Sequence, residues 1–230
     1  MTRDMQVFLH SIGIALFLTA FTYFVSFAVG WTKLDETSWF EIGAVFTSYS
    51  CTYLCTRQSR WNYPMGILAT FLYSLFYWFA EVPSPALAVF NLYLVFSLMF
   101  GFWRWGPNGN PRAVSTVETQ WWVGYAGFAL AIASLLFTAI QFGAVVSSWE
   151  IAIVVGSGVA QLLLDNKKIE TWAVWIVVNV VSIYFYWEAQ WYLAMFQYVF
   201  FLANAFWGWY EWNKSRQATL RAEQFVGVVV

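Results

Sequence analysis

Charge is what this chain has least of: only 10% of its 230 residues are Asp, Glu, Lys or Arg, against about 25% in an average soluble domain. With 61% hydrophobic residues, a water-soluble fold is excluded, because no core of this size could hide so much apolar surface. The net charge of −1 and the scattering of the basic residues exclude a nucleic-acid surface. Histidine and cysteine are almost absent too. The lone His10 sits near the start of the first apolar stretch and reads as an incidental interfacial residue. Cys51 and Cys55 stand one helical turn apart with no second Cys or His cluster to complete a metal site, so they read as small packing residues. No metal and no cofactor are expected. No His-rich, paired-Asp or Ser–His constellation lies within the apolar stretches, which argues against an enzyme.

What is present is a series of eight apolar stretches, at residues 7–30, 39–56, 61–80, 86–105, 122–146, 148–164, 171–187 and 191–212. Each is near the length that crosses roughly 30 Å of hydrocarbon as a helix. The first follows a short charged start, but it is too long for a usual signal-peptide core and lacks a clear small-residue cleavage site, so it is kept as a helix. Tryptophan crowds the segment ends, as interfacial anchors do. An even number of crossings puts both termini on one side. Arg3, Arg57, Arg60, Arg104, Arg112, Lys167, Lys168, Lys214, Arg216 and Arg221 then fall on that side and Lys33 alone on the other, which makes the shared side cytoplasmic.

The chain also contains an internal repeat. A shift of 107 residues lays Tyr77 on Tyr184, Glu81 on Glu188, Gly101 on Gly208 and Trp105 on Trp212, and a shift of 109 lays Glu41-Ile42 on Glu150-Ile151. The two-residue change is assigned to the short basic loops RQSR and NKK. Each copy has three crossings, an odd number, so the stretch 122–146 is needed to return the chain and make the copies parallel. The expected fold is all-α and integral to the membrane, with eight transmembrane helices in a three-plus-one-plus-three order behind an extra first helix. The divisions are 1–38 (extra helix and outer loop), 39–105 (first repeat), 106–146 (loop and linker helix), 147–212 (second repeat) and 213–230 (tail). Parallel repeats of this kind build transporters with a solute site between the bundles.

No Asp, Glu, Lys or Arg is read in the middle of a crossing; Glu41, Glu150, Arg104 and Glu211 lie near ends. Ion-coupled carriers usually need intramembrane carboxylates, so uncoupled movement of a solute is favoured. The polar groups that remain are amides, and an amide in hydrocarbon turns inward unless partnered. Trp172, Trp175, Asn179, Ser182 and Tyr186 follow steps of three and four and share one helical stripe. Gln197 and Asn204 are seven apart and share a face. The candidate site sets Asn91 opposite Trp175, Asn179, Gln197 and Asn204, with Trp172 and Ser182 on the same stripe and Gln161, Tyr53 and Tyr49 as weaker members. Amides suit hydroxyls or a carboxamide, and Trp and Tyr faces suit a flat or cationic ring. A simple sugar fits the same groups.

The motifs NYPMG (62–66), FNLY (90–93), GFWRW (101–105), WAVWIVVN (172–179) and GWYEW (208–212) resemble those of the PnuC family of bacterial vitamin transporters, over about residues 39–212. The resemblance implies an architecture similar to SWEET sugar transporters and facilitated diffusion of nicotinamide riboside across the inner membrane, made effective by a cytoplasmic kinase that phosphorylates the solute without needing contact with the carrier. Relatives that carry thiamine or riboflavin, and a SWEET-like sugar facilitator, are the alternatives. Thiamine has no sugar, so a site rich in amides leans toward the riboside. The aromatic lipid-facing surface leaves room for a homo-oligomer.

Overall fold

A computed structural model of the chain describes residues 3–31, 38–79, 84–106 and 112–227. Lys33, Glu81 and the first part of the 81–85 turn lie outside these residues. Among the described residues the chain is all-helical, with α1 (Arg3–Val29), α2 (Trp39–Thr56), α3 (Asn62–Phe79), α4 (Pro85–Arg104), α5 (Trp122–Gln141, preceded by a 3-10 turn at Thr119–Trp121), α6 (Ser148–Asp165), α7 (Thr171–Glu188) and α8 (Tyr192–Gly227).

Local chemistry sets the helix ends. Ser38 Oγ accepts the Phe40 amide at 3.2 Å and caps α2. Ser147 and Glu150 form a reciprocal capping box on α6, at 3.1 and 2.9 Å, which satisfies two amides that no helical carbonyl can reach. Glu150 also accepts the Ser84 hydroxyl at 2.7 Å, so one carboxylate fixes the starts of both α4 and α6. The basic turns after α2 and α6 close with left-handed residues, Gln58 at φ 54° and Lys167 at φ 50°.

Those two residues are 109 apart, and α2 with α6, and α3 with α7, likewise begin and end 109 apart. The offset falls to 107 only at α4 and α8, because five residues separate α3 from α4 and three separate α7 from α8. The length change therefore lies at the turn between the second and third helices and not in the basic loops. Tyr77 is the counterpart of Tyr186, not Tyr184.

Two further differences have simple causes. The last helix does not stop near 212 but continues to Gly227, since NKSRQATLRAEQ is rich in good helix formers and has no Gly or Pro. At 36 residues it is about 54 Å long, well beyond a hydrocarbon core. The linker helix ends early, at Gln141, where Gly143 turns to φ 95°.

Helices α2, α3 and α4 pack in series, as do α6, α7 and α8; α4 lies against α6 and α8 against α2, while α1 covers α2 and α8 and α5 leans on α6. The polarity is inverted relative to a soluble protein. Ser11, Thr22, Ser26, Ser50, Asn62, Asp165, Thr171 and Ser182 are fully buried, while Phe17, Phe24, Phe96, Leu130 and Leu135 are exposed. Such a surface is at rest only in hydrocarbon. By length and composition α1, α4, α5 with its 3-10 turn, and α6 are apolar enough to cross a membrane. The other helices fall lower in hydropathy because they carry more hydroxyls, amides and aromatic rings, and on α2 the run Thr47, Ser48, Tyr49 and Ser50 is buried. The chain is a multi-pass membrane protein.

Candidate functional site

The α7 stripe faces the interior: Trp172, Asn179, Ser182 and Tyr186 are buried and Trp175 is half-buried. Gln197 on α8 is 1% exposed. Its Oε1 accepts the Tyr73 hydroxyl from α3, while its Nε2 has no partner among the described residues. Trp172 Nε1 is likewise buried and unpaired. Leaving a buried donor unmade costs about 1 to 3 kcal/mol, a penalty that a solute bearing acceptors would remove. Asn179, seven residues along α7 from Trp172, lies about 10 Å from it.

Other candidates have partners inside the protein. Asn204 donates to Thr52 O and accepts the Thr56 hydroxyl, both at 3.2 Å, and so ties α8 to α2. Asn91 donates to Leu87 O of its own helix at 2.8 Å. The Tyr49 hydroxyl meets that of Thr22 on α1 at 2.8 Å. Tyr53 packs against Trp207 with ring centres 5.7 Å apart.

Gln161 leads to a group that sequence reading missed. Its amide donates to Asp165 Oδ1 at 2.8 Å, Tyr63 donates to the same oxygen at 3.2 Å, and Ser97 donates to Oδ2 at 3.0 Å. Asp165 is the last residue of α6 and is fully buried. The apolar stretch read from the sequence ends at 164, one residue short of the helix, which places this buried carboxylate in a loop. Nearby, Lys167 is buried with Nζ 4.5 Å above the Trp105 ring. Burial, with Arg112 close by, pushes its pKa down to about 8.

The opposite end of the interior is closed by aromatic rings that sequence reading did not assemble. Tyr77 and Tyr186 share a hydroxyl hydrogen bond. Trp191 stacks on both rings, at 6.0 and 5.9 Å. Tyr73 stacks on Tyr77, and Tyr198 lies 5.2 Å from Tyr186. The one-turn spacing of Tyr73 and Tyr77 on α3 was the available signal. At the basic end, Trp105 Nε1 donates to Leu164 O at 3.1 Å and Trp212 Nε1 donates to Cys55 O at 3.0 Å. Gly101 and Gly208 allow this packing: a Cβ on the first would overlap Asp165 and Tyr63, and on the second the Trp172 ring.

The interior thus holds buried indoles and one unpaired amide, on Gln197, between aromatic groups at both ends. Residues 38–214 match the model of the nicotinamide mononucleotide transporter family. The chain belongs to that family, which includes the PnuC proteins. The nicotinamide riboside transporter PnuC of Neisseria mucosa is 23% identical over 192 residues, covering 77% of this chain and 73% of that protein. The PnuC of Haemophilus influenzae is 23% identical over 185 residues, covering 77% and 80%. The fold is similar to that in a crystal structure of the vitamin B3 transporter PnuC, with a TM-score of 0.70, 21% identity, and coverage of 95% of this chain and 94% of that one. For a member of this family, the inward stripe on α7 is where recognition of the solute would be sought.

Proposed function

We propose that this chain carries nicotinamide riboside across the bacterial inner membrane, with both termini cytoplasmic. The observation that carries the reading is the set of buried groups Trp172, Asn179 and Gln197 beside half-buried Trp175, two of which hold unpaired donors, in a chain of the PnuC family. In this reading the indoles stack on the cationic pyridinium ring and the amides meet the ribose hydroxyls and carboxamide. Ser182, Asn91, Asn204, Gln161, Tyr53 and Tyr49 remain candidate contacts in another conformation of the carrier.

The working parts are two parallel three-helix units, 39–105 and 147–212, joined through 106–146, with 1–38 in front and 213–230 behind. Supporting this, Trp105 and Trp212, 107 apart, each donate to the last turn of a helix across the interface, at carbonyls 109 apart. Tyr77 and Tyr186 pair with each other. Rocking of the two units would open the tyrosine end and the tryptophan end in turn. Transport is proposed to be downhill and uncoupled, with accumulation supplied by a cytoplasmic kinase that traps the solute by phosphorylation.

The test is purified protein in sealed liposomes offered labelled nicotinamide riboside, thiamine, riboflavin and glucose. Equilibrating flux of the riboside alone is expected. Preference for another solute would overturn the substrate assignment, and concentrative uptake driven by a proton or sodium gradient, with no kinase enclosed, would overturn uncoupled transport. Asp165 makes the proton arm the more demanding one.

A further inference from the structure

The two halves of the basic end are finished differently. Beside α6 and α7, the segment around Ser115 seals the end: Ser115 N donates to Lys167 O, Ile169 N donates to Ser115 O, and Val114 and Val117 are buried. At the matching place beyond the end of α2, around Gln58, no segment of the described chain does this. A cavity of about 260 Å³ remains there, lined by Arg3, Thr56, Arg57, Gln58, Glu211 and Lys214, among other residues.

Its chemistry is lopsided, with three cations and one carboxylate, and that carboxylate is already engaged by Arg57 at 3.5 Å. Its depth is defined as well. Arg57 follows directly on the 18-residue α2, and Lys214 lies roughly 33 Å along α8 from Tyr192. Both positions coincide with the edge of a hydrocarbon core of about 30 Å, where lipid phosphates lie. Away from the cavity, α1 and α8 expose Leu9, Phe17, Phe206 and Trp207, surfaces along which acyl chains pack.

We propose that this cavity binds the phosphodiester of an anionic phospholipid, held by Arg3, Arg57 and Lys214 between α1, α2 and α8. The single charge of a diester suits a site where Glu211 remains as an internal acceptor, and the adjoining apolar faces favour a lipid over free phosphate.

The full-length protein in detergent, offered equal amounts of phosphatidylglycerol and phosphatidylcholine with the same chains, tests this by native mass spectrometry. Preferential retention of phosphatidylglycerol is expected. The R3Q/K214Q double variant should lose that preference roughly fivefold per basic side chain removed, whereas Arg216→Gln, outside the cavity lining, should keep it. Lys214→Gln alone, at an exposed position, provides the same test if the double variant folds poorly. Equal retention of the two lipids, or an unchanged preference in Lys214→Gln and the double variant, would overturn the site. Thermal stabilisation by inorganic phosphate matching that by phosphatidylglycerol would overturn the lipid as its occupant.

Discussion

The hydroxyls of Tyr77 and Tyr186 lie 2.8 Å apart and join α3 to α7 at residues that are counterparts in the two halves of the chain. A bond between equivalent residues can only form where the halves meet, so it marks the seam that must part if the tyrosine end opens. Removing one hydroxyl should cost about 1 kcal/mol. In Tyr77→Phe, a cysteine placed at Ser182 should label faster with an impermeant reagent applied from the tyrosine side. Unchanged labelling would show that the pair does not control access.

Asn179 and Asn204 should behave differently when each is replaced by leucine. Asn179→Leu is expected to weaken nicotinamide riboside binding by about 5- to 150-fold, the range that 1 to 3 kcal/mol corresponds to, with the melting temperature nearly unchanged. Asn204→Leu removes bonds to Thr52 and Thr56 and should cost about 1 kcal/mol of stability, with a smaller effect on affinity than Asn179→Leu. Calorimetric titration and thermal unfolding of both proteins separate the two roles; reversed outcomes would exchange the assignments.

Gly101→Ala and Gly208→Ala should each destabilise the protein by about 1 to 3 kcal/mol through overpacking, because the added methyl overlaps Asp165 and Tyr63 in one case and Trp172 in the other. Gly13→Ala, with open space at its Cβ, is the control. Equal melting temperatures for all three would refute the close approach.

Lys167 gives a pH signature. Its pKa is lowered from 10.5 to about 8, so between those values the unfolded chain holds the proton that the folded chain has released. Stability should therefore rise as pH increases from about 8 toward 10.5, and the penalty of burying the charge is fully present below 8. In Lys167→Met this part of the pH dependence should disappear from thermal unfolding curves. A slope that persists would assign it to another group.

The helices were legible because crossing a membrane demands long apolar runs, and the Trp172 to Tyr186 stripe was legible because helical periodicity alone puts those residues on one face. Asp165 was not, since one polar residue at the end of a hydrophobic run looks like the first residue of a loop. The register of the repeat was misread by two residues because aromatic-rich segments match at several offsets, and only paired helix ends and the matching turns at Gln58 and Lys167 separate 107 from 109. The tyrosine cluster draws on α3, α7, the turn at Trp191 and α8, a meeting that no local pattern encodes. The pairing of Asn204 with α2 is equally a matter of tertiary placement.

The uninterrupted length of α8 gives the protein a mechanical lever. Tyr192 begins beside the aromatic closure, and the same 36-residue helix ends at Gly227, about 54 Å away. A tilt of about 5° at the first end displaces the other by roughly 5 Å over that span. If the tyrosine rings rearrange during turnover, the same tilt would move Thr219, about 40 Å from Tyr192, by roughly 3.5 Å, a displacement that a fluorophore placed there would follow.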